Sequence, residues 1–127
     1  MLRLVTLLSL SLSVFAATAP ETIVLPNEPK DYFEILGKGN SACMRSGYVT
    51  LQPGESVGTH NTGNFEELVI TLEGQGEMEM ADRGRTPFAK GILLHAFPHS
   101  EHNVWNTGKE VLRYIYIVAD TGRGKPQ

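Results

Sequence analysis

From residue 44 to residue 119 the apolar positions come in short runs that stop at Gly, Pro, Asn or Asp, and no stretch holds a helical spacing. SGYVTLQ (46–52) reads as a strand closed by Pro53-Gly54, a strong turn signal. LVITL (68–72) runs into EGQG, and EMEM (77–80) alternates strictly between charged and apolar residues, the period of a strand with one buried face. DRGR (82–85) supplies a hairpin turn and TPFA (86–89) a short return strand. ILLHAF (92–97) follows the Lys90-Gly91 turn, PHSEH (98–102) reads as a polar loop, and NVW (103–105) as a short strand. After the NTGKE turn, VLRYIYIVA (111–119) has the β-branched and aromatic content of a last strand. DYFEIL (31–36) has the pattern of an edge strand within a proline-containing lead-in, residues 17–40, and TGRGKPQ (121–127) reads as a flexible tail. Seven or eight short strands without a helix predict an all-β, single-domain barrel or sandwich, of the size that holds one small ligand in its mouth.

Composition narrows the function classes. With 41% hydrophobic and 20% charged residues the chain is an ordinary globular one. A net charge of −3 offers no basic footprint for nucleic acid or an anionic membrane surface. The single cysteine, Cys43, has no partner for an internal disulfide and is expected as a small buried apolar side chain. Residues 1–16 have the layout of a signal peptide: Arg3, an uncharged Leu/Ser-rich stretch, then small residues, with Val14 and Ala16 suiting cleavage after Ala16. Cleavage after Ala19 would leave Pro20 next to the cut, and the apolar stretch falls short of the roughly 20 residues a membrane span needs. The expected location is therefore exported, periplasmic or extracellular, with no membrane contact after cleavage.

The four histidines gather in two places, His60 and the span holding His95, His99 and His102, both where strands meet loops. His60 is separated from Glu66 and Glu67 by a short polar turn, so the two strand ends can face each other across it. A third ligand from a distant loop, His102, would complete two imidazoles and one carboxylate, a set suited to a first-row divalent metal with positions left open.

These residues fall into a pattern that resembles the two motifs of the cupin superfamily. Gly54, His60, Glu67 and Gly74 occupy the first motif at its spacing, with Thr62 where a second histidine belongs. Gly91, His102 and Asn106 anchor the second, with Phe97-Pro98-His99 in place of Pro-x-Gly. The resemblance covers about residues 45–118 and implies a cupin-type β-barrel, a jelly-roll-like double sheet, spanning about residues 41–120. It further implies His60, Glu67 and His102 as ligands of a divalent transition metal (Mn, Fe, Ni or Zn) in the barrel mouth, and a structural Asn106. Glu67 fits the motif spacing, whereas Glu66 belongs on the opposite face of the strand.

Thr62 leaves three arrangements open: three protein ligands plus water, with Thr62 holding a water or the substrate; His99 or His95 replacing the missing imidazole; or His60 and Glu67 hydrogen-bonded in a metal-free polar pocket. Tyr48, Tyr114 and Tyr116, with Arg45, are candidate pocket residues, although tyrosines there also suit a barrel core or dimer surface. Met78 and Met80 read as core and Trp105 as packing. Glu66, His95 and His99 are candidate general bases. The resemblance implies an enzyme acting on a small polar organic molecule, by dioxygenase, isomerase or decarboxylase chemistry, or a non-catalytic binder of a sugar or organic acid. It also implies a homodimer through sheet edges, to which the apolar last strand would contribute.

Overall fold

The computed structural model describes residues 21–27 and 30–122, so the signal-peptide reading and most of the tail lie outside the described residues. The described residues form nine strands: β1 (Tyr32–Leu36), β2 (Met44–Leu51), β3 (His60–Asn61), β4 (Phe65–Glu73), β5 (Gln75–Met80), β6 (Gly84–Ala89), β7 (Leu93–Ala96), β8 (Glu101–Trp105) and β9 (Leu112–Asp120). They assemble into two antiparallel sheets, one ordered β1-β2-β9-β4-β7 and the other β3-β8-β5-β6. This is an all-β fold, as the pattern of short strands predicts, and the jelly-roll-like double sheet that the motif resemblance implies.

Alternation along each strand builds the core. Val49, Leu51, Val69, Leu112 and Tyr114 from the larger sheet meet Met78, Phe88 and Val104 from the smaller one, all nearly inaccessible. Full burial of each such side chain is worth about 1.5–3 kcal/mol, so this shared layer supplies the main cohesion between the sheets. Two motif glycines are required by the backbone. Gly54 turns at φ +83° after β2, and Gly74 turns at φ +76° between β4 and β5, where an added Cβ would run into the Val111 carbonyl oxygen.

Several sequence expectations need correction. PHSEH is not all loop: the strand begins at Glu101, so His102 stands within β8. His60 does stand at a strand end: with Asn61 it forms a two-residue strand pairing with β8, His60 directly opposite His102. The strand expected from Leu68 begins three residues earlier, at Phe65. β9 is bonded on both sides, to β2 and β4, so the last strand offers no free edge for a partner. Cys43 is exposed rather than buried, because it lies just outside the β2 ladder, next to Met44.

Candidate metal centre and its cavity

Residues that pair across an antiparallel ladder share a face, so register decides which side chains look inward. Arg45 pairs with Val118, which also faces Glu67; Gly47 pairs with Tyr116, which faces Val69; Val49 pairs with Tyr114, which faces Thr71. Three rows of inward side chains thus cross β2, β9 and β4. From the opposite sheet, His102 on β8 and His60 on β3 complete the enclosure. Between the sheets lies a cavity of about 460 Å³ whose walls include Val49, Val57, Val104 and Tyr114, with Tyr32, Arg45, Phe65 and Tyr116 also lining it.

His60 and Glu67 line it and His102 converges on them, each of the three offering one ligand atom within 4.8 Å of the others. Glu67 and His102 are buried, whereas His60 is exposed to the opening. His60 Nδ1 lies 2.9 Å from the Gly58 carbonyl and His102 Nδ1 3.3 Å from that of Ser100. A carbonyl only accepts, so each Nδ1 carries the proton, and in the neutral ring Nε2 is left as a lone pair. A backbone carbonyl on the far nitrogen is the support that metal-ligating histidines ordinarily have.

His102 Nε2 is fully buried and stands 3.1 Å from Glu67 Oε2, yet it makes no hydrogen bond of acceptable geometry. A buried nitrogen left in this way is costly unless something else fills its coordination direction. A cation held by the three donors would do so, and the donor set, two imidazoles and one carboxylate, suits a first-row divalent metal. The residues present therefore fit such an ion. Without one, burial is the largest influence on His102 and works against its charge. The Glu67 carboxylate 3.1 Å away, with the Ser100 carbonyl, outweighs burial and raises the imidazole pKa above 6.5. Burial also raises the phenol of Tyr114, which nearby Glu67 reinforces, so that hydroxyl stays protonated and can donate.

Thr62 is no substitute ligand. Its hydroxyl donates to the Phe97 carbonyl and accepts from the Ser100 N–H, both at 2.9 Å, so its side chain fastens the loop before β8. His99 and His95 do not replace the missing imidazole either: both border a separate hollow with Met78, Met80 and Phe97. His99 takes a left-handed backbone (φ 60°), and its N–H bonds the Gly63 carbonyl. His95 pairs with Glu66 at 3.2 Å on the outer face, which removes both, with His99, from the list of candidate bases in this cavity. Tyr48 is buried, but it pairs with Phe33 and Ile115 on the face turned away from the cavity.

Tyr114 and Tyr116 do line the cavity, and Trp105 packs outside it, donating to Glu79 at 2.9 Å. Asn106, 2% exposed, donates to the Leu51 and Glu110 carbonyls and accepts from Gly108 N–H, tying two turns together. Among the lining residues that the sequence did not single out are Phe65 and Tyr32. Phe65 was within reach of it, because two residues before Glu67 is the same side of a strand. Tyr32 is placed by the β1–β2 register and gave no such signal.

A family model described as Cupin domain matches residues 47–118, more than half of the chain. Among solved structures, a Cupin 2 conserved barrel domain protein from Salinispora arenicola is similar at 24% identity and a TM-score of 0.62, over 72% of this chain and 76% of that one. An RmlC-like cupin family protein with a double-stranded β-helix fold from Methanocaldococcus jannaschii gives 13% identity and a TM-score of 0.68, over 82% and 94%. A predicted oxalate decarboxylase from Thermotoga maritima gives 21% identity and a TM-score of 0.61, over 69% and 77%. At these identities the likeness is one of fold. No curated protein matches the chain significantly. The matched segment begins inside β2 and ends inside β9, taking in both candidate ligand stretches, and on that ground the chain belongs to the cupin superfamily, of the type 2 conserved-barrel kind.

Proposed function

We propose that this is an exported cupin that holds one divalent transition metal on His60, Glu67 and His102 and takes a small polar organic molecule into the cavity above it. One observation carries the reading: two imidazoles, each propped by a backbone carbonyl at Nδ1, bring a ligand atom within 4.8 Å of each other and of one buried carboxylate. A cation bound there would polarise a carbonyl or hydroxyl oxygen, or lower the pKa of a bound water. Around it, His60 and His102 hold their tautomers, Glu67 supplies negative charge, and protonated Tyr114 donates to an oxygen of the guest. Val49, Val57 and Val104 give the guest an apolar wall. Export rests on the Arg3-led, Leu/Ser-rich segment ending in small residues at Ala16. A second copy of the chain has the β7 edge to pair with, where Ile92, Leu93 and Phe97 stand exposed.

Elemental analysis of the purified protein tests the centre. About one equivalent of Mn, Fe, Ni or Zn is expected, lost in both His60→Ala and His102→Ala with the fold kept. Full occupancy in the folded His102→Ala protein would end the assignment.

A non-catalytic binder is the second reading, favoured by the lack of any imidazole or carboxylate lining the cavity, among the described residues, besides the candidate ligands His60 and Glu67. Incubating the metal-loaded protein with small hydroxy-, keto- and phenolic compounds separates the two. Product formation or oxygen uptake identifies an enzyme, whereas a ligand-dependent thermal shift without turnover identifies a binder.

A further inference from the structure

Four arginines lie among the described residues, and three of them meet carboxylates. Arg83 pairs with Asp82, Arg85 with Glu77 and Glu79, and Arg113 with Glu73. Arg45, the one that lines the cavity, takes part in none of the described ion pairs. Its guanidinium carbon instead sits 4.2 Å from the centroid of the Phe65 ring, which holds the planar group at the opening. The hydrogen-bonding edge of a stacked guanidinium remains available, and its fork matches a carboxylate.

The neighbouring groups extend this into a subsite. Tyr32 and Tyr116 stack with ring centroids 6.4 Å apart and share a hydrogen bond of 2.9 Å between their hydroxyls. Gly47 lies beneath them: an added Cβ would come 2.7 Å from Tyr116 Cε1 and would strike Tyr32 Cε2. The absence of a side chain at Gly47 is therefore what lets both phenols lie over the cavity. Arg45 and Glu67 belong to one inward row two strands apart. At about 4.8 Å per strand, their backbones are roughly 10 Å apart, with the cavity between the two side chains.

We infer that the cavity selects a small organic acid, whose carboxylate sits on Arg45 beside the Tyr32–Tyr116 pair while its other oxygen-bearing end faces the His60, Glu67 and His102 cluster. This rests on the metal-and-guest reading above and narrows its guest from any polar molecule to an anion. A chain of net charge −3 has no general attraction for anions, so the preference must come from this local cation.

Titration calorimetry on the metal-loaded protein tests it, with hydroxy- and keto-carboxylates of two to six carbons, their uncharged amides, and pentoses and hexoses as probes. Wild type should bind at least one carboxylate, and bind it at least tenfold more tightly than its amide. Arg45→Gln should weaken that carboxylate by roughly tenfold to a hundredfold, the size of a lost charge-assisted hydrogen bond, and leave amide binding and metal content unchanged. Arg45→Lys should recover part of the preference, and Phe65→Leu, which keeps the charge but removes its platform, should fall between. Binding of no carboxylate in the panel, preference for a sugar or amide, or undiminished carboxylate binding by Arg45→Gln overturns the inference. Metal content separates the two readings. A metal-free wild type that still shows the Arg45-dependent preference sinks the metal centre and upholds the organic acid. A metal-loaded wild type without the preference does the reverse.

Discussion

Replacing Thr62 by valine keeps the β-branched shape and removes only the hydroxyl, so its cost can be worked from two contacts. That hydroxyl donates to the Phe97 carbonyl and accepts from Ser100 N–H, both at 2.9 Å and both partly buried. Stranding a buried donor or acceptor costs about 1–3 kcal/mol, and partial burial places each of these near the lower end. The two together predict a loss of about 2–3 kcal/mol. For a domain of this size, at about 4–8 °C per kcal/mol, the midpoint should fall by roughly 8–24 °C. Thr62→Ser keeps the hydroxyl and gives up one methyl group, a loss of about 1 kcal/mol. Urea unfolding with a chelator present keeps metal binding out of the comparison, and amide exchange at Ser100 provides a local readout that should quicken in the valine variant alone. The reasoning fails if valine lies within about 0.5 kcal/mol of wild type, or if serine is as damaging as valine.

The metal-free protein should respond to pH through His102. Its folded pKa lies above the 6.5 expected of the unfolded chain, so its stabilising contribution is complete below 6.5 and is lost as pH rises through the folded value. Unfolding in the presence of a chelator should therefore show wild type losing stability relative to His102→Gln from mildly acidic to mildly alkaline pH, while metal affinity, which protons oppose, changes in the other direction; a flat difference refutes the ion pair. Asn106→Ala should cost about 3–5 kcal/mol, because Leu51 O, Glu110 O and Gly108 N each lose a partner 2.9 Å away in a buried corner. Asn106→Asp, which keeps the acceptor but neither donor, should fall between, and an alanine variant within about 1 kcal/mol of wild type would contradict the bracing role.

The strands that were legible in the sequence are those whose side chains alternate between core and solvent. EMEM and VLRYIYIVA announce themselves because burial imposes their composition. His60-Asn61 and Glu101-His102 escape because their strands exist to present polar groups, so the hydrophobic pattern is missing where the site is built. Spacing within one strand placed Glu66 and Glu67 on opposite faces, as the structure does. It could not place Tyr48 relative to Tyr114, since parity between strands is set by a register that pairs Tyr48 with Ile115. Thr62 showed which imidazole was missing. What its hydroxyl does instead depends on residues 35 and 38 positions away in sequence, a separation no local pattern spans.

The three converging side chains are not equally held. Glu67 comes from a strand bonded on both sides and His102 from one flanked by β3 and β5, but His60 rides on two residues at the margin of the smaller sheet. Fraying that short margin leaves the core and Glu67 in place, and β5 still holds the strand of His102. An ion seated here would thus arrive and depart past His60, which acts as a latch, and its exchange rate would follow the breathing of one sheet margin rather than the unfolding of the barrel.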